Sequence, residues 1–274
     1  MKKLYVVADW AEDSLTQAEV KIAVDGYLKN NQNSDIFFVS STPSTIHTSF
    51  LISQLVENIE RFGSPQETVI FQNTDPRLHS NKSIEKAAGA KPVIIKLVSG
   101  IYLLGPNSGY DYSMIKDKIE RVYEYKGLNE KGQFHSRDLY SRISAHLMDY
   151  LEDELELEEI SKNIIPNLQG YYIAHIDNFG NIKTTLTQED FKGKYEYNDI
   201  LNITIGKVTK KVKFVPNLFG GVPGELVIYP GSSGKKDNRF LEITIWRHFT
   251  EKNPTTGLHE FNYPKPGMII EIKK

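Results

Sequence analysis

Five short segments of the sequence combine polar or titratable side chains that could bind or activate a small molecule. Asp9 follows the apolar run Leu4–Ala8, and Asp75 follows the β-rich run Thr68–Gln72. In open α/β sheets ligands sit beyond the carboxyl ends of the strands, so both aspartates are candidate functional residues. The other three segments are Phe134-His135-Ser136-Arg137-Asp138, Asp177-Asn178-Phe179-Gly180-Asn181 and Ser232-Ser233-Gly234.

Asp75 and the His135 segment each have a structural alternative. Asp75 precedes a proline, and Asp before Pro commonly initiates a turn. His135 lies just ahead of a predicted helix, where its imidazole could act as an acid or a base. In the alternative, Arg137 and Asp138 cap that helix or pair with each other. Chemistry alone leaves both interpretations open.

The two later segments link predicted strands. Asp177–Asn181 supplies the Asn and Gly residues that hairpin turns need, or it places amides and an aromatic ring against a purine edge. Ser232-Ser233-Gly234 is either a tight turn or the hydroxyl-lined rim of a pocket. The sequence has neither a P-loop nor a Gly-x-Gly-x-x-Gly after its first strand, which disfavours nucleoside triphosphates and dinucleotides.

Alternating strands and helices at the start of the chain predict parallel βαβ units with right-handed crossovers. Ser14 is the predicted N-cap of the first helix, in a capping box with Gln17. A hairpin and a further helix follow. The predicted elements are strand Leu4–Ala8, helix Ser14–Leu28, strand Ile36–Ser40, a helix through Ile46, Phe50, Leu55 and Ile59 closed by Gly63, strand Thr68–Gln72, strands Val93–Leu97 and Ile101–Leu104, and a helix through Leu139, Ile143, Leu147 and Leu151.

The pattern changes after Gly170, where short β-rich runs separated by turn residues predict an antiparallel β domain. The acidic run Glu152–Glu159, with Pro166, is predicted to be a solvated interdomain connection. We therefore expect an α/β domain with a mainly parallel sheet over residues 1–165 and an antiparallel β-barrel-like domain over 166–274. The β-rich runs are Tyr171–Ile176, Ile200–Ile205, Val208–Phe214, Glu225–Tyr229, Phe240–Ile245 and Met268–Ile272.

Composition narrows the classes of function. The 274 residues carry a formal net charge of −2 with scattered basic side chains, which argues against a nucleic-acid partner. The chain has no cysteine, so disulfides and thiolate chemistry are excluded. Asp75 with His79 falls short of a metal-ligand pattern, and no metal is predicted. No apolar run is long enough for a signal peptide or membrane span, which predicts a cytoplasmic protein without a membrane partner.

Taken in order along the chain, these segments resemble the S-adenosyl-L-methionine (SAM) hydroxide adenosyltransferases, or SAM hydrolases, which are homologous to fluorinase and chlorinase enzymes. Each motif alone is weak, and the shared order carries the resemblance. The matching pieces are the strand ending in Asp9, Thr74-Asp75-Pro76, Ile101–Asn107 with Gly109, Phe134–Asp138 (similar to Phe-His-Gly-Arg-Asp), Asp177–Asn181 (similar to Asp-x-Phe-Gly-Asn), and Gly224-Glu225-Leu226 followed by Gly231–Gly234.

The resemblance implies attack of an ordered water on the ribose C5′ of SAM, which releases adenosine and methionine. Asp75 and His135 fall on two positions that order this water in the hydrolases. The family's third residue is an Arg, and Lys82 or Lys91 is the candidate here, with Arg77 as another possibility. Arg77-Leu78-His79 also replaces the family's Gly-Val-Gly, which leaves a non-catalytic SAM- or adenosine-binding protein as the alternative. A carboxylate at position 75 would repel an incoming halide.

The resemblance further implies which residues contact the substrate. Asp9 and Glu12 would hold ribose hydroxyls or the methionine amine, and Trp10 would line the entrance. Phe179 and Asn181 would take the adenine, with Ser232 and Ser233 near its edge. Further substrate-binding residues by position are Ser14, Asn107, Phe134, Ser136 and Asn178. The implied assembly is a homotrimer with sites at subunit interfaces, and no cofactor is expected beyond SAM as the substrate.

Overall fold

The chain forms two compact units, Met1–Leu168 and Gln169–Lys274. The computed structural model describes residues 2–30, 34–76, 90–127, 134–246, 249–250 and 253–274. The predicted domain boundary after residue 165 lies close to this division. Within the described residues, every helix is too short or too polar to span a lipid bilayer.

The first unit is built around one seven-stranded sheet with the strand order β2-β1-β3-β5-β4-β6-β7. Its elements are β1 (Lys2–Ala8), α1 (Ser14–Tyr27), β2 (Ser34–Ser40), α2 (Thr45–Phe62), β3 (Thr68–Asn73), β4 (Pro92–Leu97), β5 (Tyr102–Pro106), β6 (Ile119–Tyr125), α3 (Ser141–Met148) and β7 (Leu157–Ile160). Only β2, β1, β3 and β5 pair in parallel. The prediction of a mainly parallel sheet therefore holds for this half alone, because the tight connection from β4 to β5 forces antiparallel pairing there.

The inner parallel strands β1, β3 and β5 are largely buried, as their near-continuous apolar sequences require, whereas β2 at the edge of the sheet is half-buried. Leu4 and Val6 of β1 pack with Phe71 of β3 in one core cluster on one side of the sheet. Val7 and Ile70 belong to a second cluster, which includes residues of α2. The alternation of side chains along each strand thus divides the apolar residues between two cores.

Two sequence predictions about local structure are wrong. The N-cap of α1 is Asp13, whose carboxylate accepts from the Leu15 amide, and Ser14 is the first helical residue. The acidic run is not a connection between the two units, because Leu157–Ile160 forms β7 and pairs antiparallel with β6. Leu155 just before this strand is buried, which anchors the segment to the first unit.

The second unit contains a seven-stranded sheet with the order β16-β10-β11-β12-β13-β9-β8. Its elements are β8 (Ile173–Ile176), β9 (Ile182–Thr187), α4 (Gln188–Phe191), β10 (Ile200–Ile205), β11 (Val208–Phe214), β12 (Leu226–Lys235), β13 (Asn238–Ile245), the short strands β14 (Phe249–Thr250) and β15 (Asn253–Pro254), α5 (Gly257–Glu260) and β16 (Ile270–Lys273). An antiparallel bridge between Tyr172 and Ile269 joins the ends of the sheet, which therefore curls as a barrel does. One pairing, β11 with β12, is parallel, and the other pairings within this sheet are antiparallel.

Gly105 allows β5 to approach β3 closely. Its φ is +142°, and a Cβ there would lie 2.0 Å from the Gln72 carbonyl oxygen. We expect Gly105→Ala to lower the free energy of unfolding of this unit by about 3 kcal/mol or more, through backbone strain and displacement of β3. Gly26→Ala is the matched control, because no atom lies within 4 Å of the added Cβ. Urea denaturation of both variants is the measurement, and equal midpoints would contradict the prediction.

Candidate functional site

Polar residues meet where β1, β3 and β5 end. Because these strands are parallel, Ala8 lies opposite Asn73, and Asp9 and Asp75 follow at the same edge of the sheet. The loop after β5 reaches this edge too, since the Ser108 hydroxyl donates to the Thr74 carbonyl at 3.1 Å. The two aspartates that the sequence singled out therefore follow strands that end at one edge of the sheet in the first unit.

Thr74 fixes the backbone that carries Asp75. Its hydroxyl accepts a hydrogen bond from Thr48 at 2.7 Å and contacts the Ser41 hydroxyl at 3.2 Å. The Thr74 amide donates to the side-chain oxygen of Gln72 at 2.8 Å. Asp75 is half-buried, and its Oδ2 accepts from the Ala90 amide at 3.1 Å. This network holds one carboxylate at a defined position on the edge.

His135 and Ser136 come to the same edge on a distorted helix. Residues Ser136–Tyr140 form a π-helical turn that runs directly into α3, and such turns occur frequently at functional sites. The side-chain amide of Asn73 donates to the Ser136 hydroxyl at 2.5 Å, which ties this turn to the end of β3. The ring of Tyr140 lies 6.2 Å from the ring of His135. Burial, and next the charge of Asp75, raise the pKa of Tyr140 well above its ordinary value.

Trp10 packs into an aromatic cluster beside these residues. Its ring centroid lies 6.3 Å from that of Phe38, 6.4 Å from that of Phe71 and 6.0 Å from that of Phe134. The Trp10 Nε1 is buried and has no hydrogen-bond partner in the described part of the chain. A buried donor without a partner is unfavourable, and a ligand acceptor would satisfy it.

Asp111 is a buried carboxyl group at this edge that no sequence motif singles out. It is 0% exposed, and its Oδ2 accepts from the Ser108 amide at 2.9 Å. Its Oδ1 is also buried and has no partner among the described residues. Burial, and secondarily the nearby charge of Asp75, raise the pKa of Asp111 to about 8. The Asp111 carboxyl group therefore retains its proton near neutral pH.

Other predicted residues lie around this region. Asp9, Glu12 and Ser14 are exposed, and Asn107 is half-buried with its amide donating to the Ile164 carbonyl at 3.2 Å. The Asn107 Oδ1 is buried without a partner in the part of the chain that the structure describes. The ammonium of Lys91 pairs with Glu124 at 2.8 Å, and its side chain is 77% exposed.

Near His135, the structure shows the ion pair that one interpretation of the sequence supposed. Arg137 and Asp138 pair with each other at 2.7 Å, as the structural alternative supposed. Lys82, Arg77 and His79 lie outside the described residues. Among the described residues, no three His, Asp or Glu side chains group closely enough to hold a metal ion.

In the second unit, Asp177–Asn181 forms the hairpin turn between β8 and β9. Gly180 has a φ of +75°, and the Asp177 carboxylate accepts from the amides of Phe179 and Asn181, each at 3.0 Å. The Asn181 side chain donates to Asp177 and accepts from the Thr244 hydroxyl. Asn178 and Phe179 are exposed. The turn is confirmed, and a contact of Phe179 with adenine stays a prediction.

Ser232 and Ser233 lie in a bulge and not in a tight turn. Pro230 pairs with Leu241 and Gly234 with Arg239, so residues 231–233 stand opposite one residue of β13. Gly234 has a φ of +95°, which lets the strand bulge and continue to Lys235 before the chain reverses. Ser232 is exposed and Ser233 is buried.

Two comparisons with known proteins point to one family. Residues 171–247 match the model of the SAM hydroxide adenosyltransferase C-terminal domain. Over 142 residues the chain is 28% identical to an (R)-S-adenosyl-L-methionine hydrolase of Methanocaldococcus jannaschii. That alignment covers 47% of this chain and 51% of the relative, so the match spans about half of the relative's length. Both matches support the family that the sequence motifs predicted.

Two solved structures share the fold. One is an uncharacterized conserved protein from Thermotoga maritima, with a TM-score of 0.69, 18% identity, and coverage of 98% of this chain and 100% of that one. The other is a conserved hypothetical protein from Thermus thermophilus, with a TM-score of 0.66, 16% identity, and coverage of 100% of both chains. At such identities the likeness concerns the fold alone.

The raised pKa of Asp111 makes the free energy of unfolding depend on pH. Between its ordinary pKa of 3.8 and about 8, the folded state keeps a proton that the unfolded state releases. Stability should therefore fall as pH rises through this window. Asp111→Asn keeps the shape and removes the titration, so the variant should be more stable than wild type at pH ~9 by an amount on the order of a few kcal/mol, and close to wild type at pH ~4.

Denaturant unfolding at a series of pH values measures this difference. Asp153→Asn, which changes an exposed carboxylate, is the control and should show no such trend. A difference between Asp111→Asn and wild type that stays constant across the window would contradict the prediction.

Proposed function

We propose that this chain hydrolyses SAM to adenosine and L-methionine. The observation that carries the proposal is the gathering of Asp75 and His135 at one strand edge, linked by the Asn73–Ser136 hydrogen bond and by Tyr140. The family match of the second unit and the activity named for the Methanocaldococcus relative support SAM as the substrate. The roles proposed for individual side chains in this reaction rest on the residues of this chain.

The reaction balances without a redox partner. A water oxygen forms a bond to the ribose C5′ while the C5′–sulfur bond breaks, and the bonding electron pair stays on sulfur. Methionine leaves as a neutral thioether because the sulfonium already carries a positive charge, so no acid is needed at the leaving group. The attacking water loses one proton, which needs an acceptor.

Asp75 is the proposed acceptor of that proton. A carboxylate held by a fixed backbone can orient a water and take its proton as the new bond forms. His135 is proposed to fix the second direction of the same water through its imidazole. Catalysis of this kind depends mainly on alignment of the water with C5′, which rigid placement of both groups supplies.

Each unit is proposed to offer its own groups for substrate binding. In the first unit, the Trp10 Nε1 and Asn107 Oδ1 are buried polar atoms without partners in the described part of the chain, and each could bond to ligand. In the second unit, the exposed ring of Phe179 offers a stacking surface for adenine, and the bulge carries Ser232 and Ser233. No cofactor is required, and Lys82 and Lys91 remain the candidates for the third catalytic position.

A non-catalytic SAM- or adenosine-binding protein is the second candidate. Arg77-Leu78-His79 directly after Asp75-Pro76 favours it, because these side chains occupy positions where the resembling hydrolases have Gly-Val-Gly. Bulky side chains at these positions would change where the backbone lies relative to the substrate. Turnover distinguishes the two candidates directly.

Asp75→Asn is the decisive variant for hydrolysis. It keeps the shape of the side chain and its acceptor for the Ala90 amide but removes the base, so adenosine formation should fall about 10²-fold or more. Chromatography of adenosine released from SAM is the measurement. His135→Ala should lower kcat in the same direction by removing the second group that orients the water.

Lys192→Ala is the control for these variants, because Lys192 lies on the surface with its side chain 74% exposed. It should retain the wild-type rate. Equal adenosine production by wild type and Asp75→Asn would remove the hydrolytic proposal. Ligand binding without any turnover in the wild type would select the second candidate.

The proposed assembly is a homotrimer. Light scattering coupled to size exclusion should give a mass about three times the 31.3 kDa of the chain. A monomer that turns over SAM at micromolar protein concentration would contradict this assembly.

A further inference from the structure

A row of titratable side chains crosses four neighbouring strands of the second unit. His175 of β8 lies opposite Lys183 of β9, and Lys183 lies opposite Glu242 of β13. Glu242 in turn lies opposite Tyr229 of β12. Opposed residues in a sheet project from the same face, so the four side chains are neighbours. The alternate residues on the same strands belong to the apolar core of the unit, and they include Ile182, Ile243 and Ile228.

Glu242 is the centre of this row. Its side chain is 5% exposed, and Oε1 accepts from the Lys183 ammonium at 2.6 Å. The same oxygen accepts from the Ser232 amide at 3.1 Å and from the Ser232 hydroxyl at 3.4 Å. Oε2 accepts from the Tyr229 hydroxyl at 3.1 Å. A buried carboxylate needs this many partners, and two of its bonds go to the bulge.

The bulge is shaped to receive the carboxylate. A Cβ on Gly231 would lie 2.2 Å from the Glu242 Oε1, so only glycine permits this approach. Ser232 thereby has both its amide and its hydroxyl directed at Glu242. The conformation of residues Gly231–Gly234 therefore depends on a side chain from the neighbouring strand.

Strands β9 and β13, which carry Lys183 and Glu242, also hold the Asp177–Asn181 hairpin. Asn181 is two residues before Lys183, and Thr244 is two residues after Glu242, so all four project from one face. The Thr244 hydroxyl donates to the Asn181 side chain, which itself donates to Asp177. The hairpin and the bulge are thus braced by adjacent polar rows on β9 and β13.

The two formal charges of the long row are paired, because the Lys183 ammonium contacts the Glu242 carboxylate at 2.6 Å. Burial, and next the positive charge of Lys183, lower the pKa of His175, which favours a neutral imidazole. Burial, and next the charge of Glu242, raise the pKa of Tyr229 well above its usual range. Such a row suits an uncharged nucleoside base better than a phosphate.

The geometry points to Glu242, paired with Lys183, as a positioning residue that presents the Gly231–Gly234 bulge and the Asp177–Asn181 hairpin to the adenine base of the ligand. This inference rests on the proposed function, since it takes the ligand to be an adenosyl compound. It adds residues that touch neither the reacting water nor C5′. Their effect should therefore appear in affinity and not in the chemical step.

Three variants test the inference: Glu242→Gln, Lys183→Met and the double variant, which removes both charges and leaves the site neutral. Glu242→Gln should raise KM for SAM and the Kd for adenosine about tenfold or more, because charge-assisted hydrogen bonds are roughly twice as strong as neutral ones. Its kcat should stay within about threefold of wild type, as expected for loss of binding alone. Amide hydrogen exchange at Ser232 should become faster.

Lys210→Met is the matched control, because it likewise removes the cation of an ion pair in the same unit, here the 2.7 Å pair with Glu260. The double variant should fold and still bind weakly, since the bonds to Ser232 are not restored. Recovery of wild-type affinity in the double variant, or an unchanged KM in Glu242→Gln, would overturn the inference.

The two proposals fail in different ways. Wild type that turns over SAM while Glu242→Gln binds it equally well would refute the positioning inference alone. Wild type that neither binds nor cleaves SAM would refute the proposed function, and the inference about the ligand with it. Isothermal titration with adenosine separates these outcomes without depending on turnover.

Discussion

Parallel pairing of β1 with β3 is the constraint on which the first unit depends. Both strands lie between two apolar cores, and because they pair in parallel they end at the same edge of the sheet. That geometry places Asp9 and Asp75 at the same edge although the sequence separates them widely. The close approach of β5 at Gly105 adds the loop that carries Asp111. Position at this edge follows from packing and not from local sequence.

Hydrogen bonding divides the polar atoms of this edge into two groups. The Thr74 hydroxyl and the Ser136 hydroxyl have partners and hold the backbone still. By contrast, atoms of Trp10, Asn107 and Asp111 are buried with none in the described residues. A satisfied framework around a few unsatisfied groups is what a preorganised site requires, because the ligand then supplies the missing partners. The second unit differs, since its polar rows are largely satisfied internally.

Sequence patterns predicted the parallel units, the hairpin of β4 and β5, and the Asp177–Asn181 turn, because apolar periodicity and glycine conformations are local signals. They could not separate Asp13 from Ser14 as an N-cap, since both residues suit that position. Asp111 went unnoticed because burial depends on distant residues. Glu242 was hidden for the same reason: its partners come from two other strands. The bulge resembled a turn because both use glycine and serine.

The acidic segment Leu157–Ile160 has a consequence for how the molecule behaves among its copies. As β7 it is the outermost strand of the seven-stranded sheet, so one side of its backbone has no neighbouring strand in that sheet. Such an edge can recruit a strand from another molecule and begin aggregation. Glu158 and Glu159 stand on this edge and are exposed. Both carboxylates also pair with basic side chains of β6, Glu158 with Lys126 and Glu159 with Arg121. A second copy adding there would have to accommodate these charged side chains on its own strand, which disfavours growth of the sheet beyond its last strand.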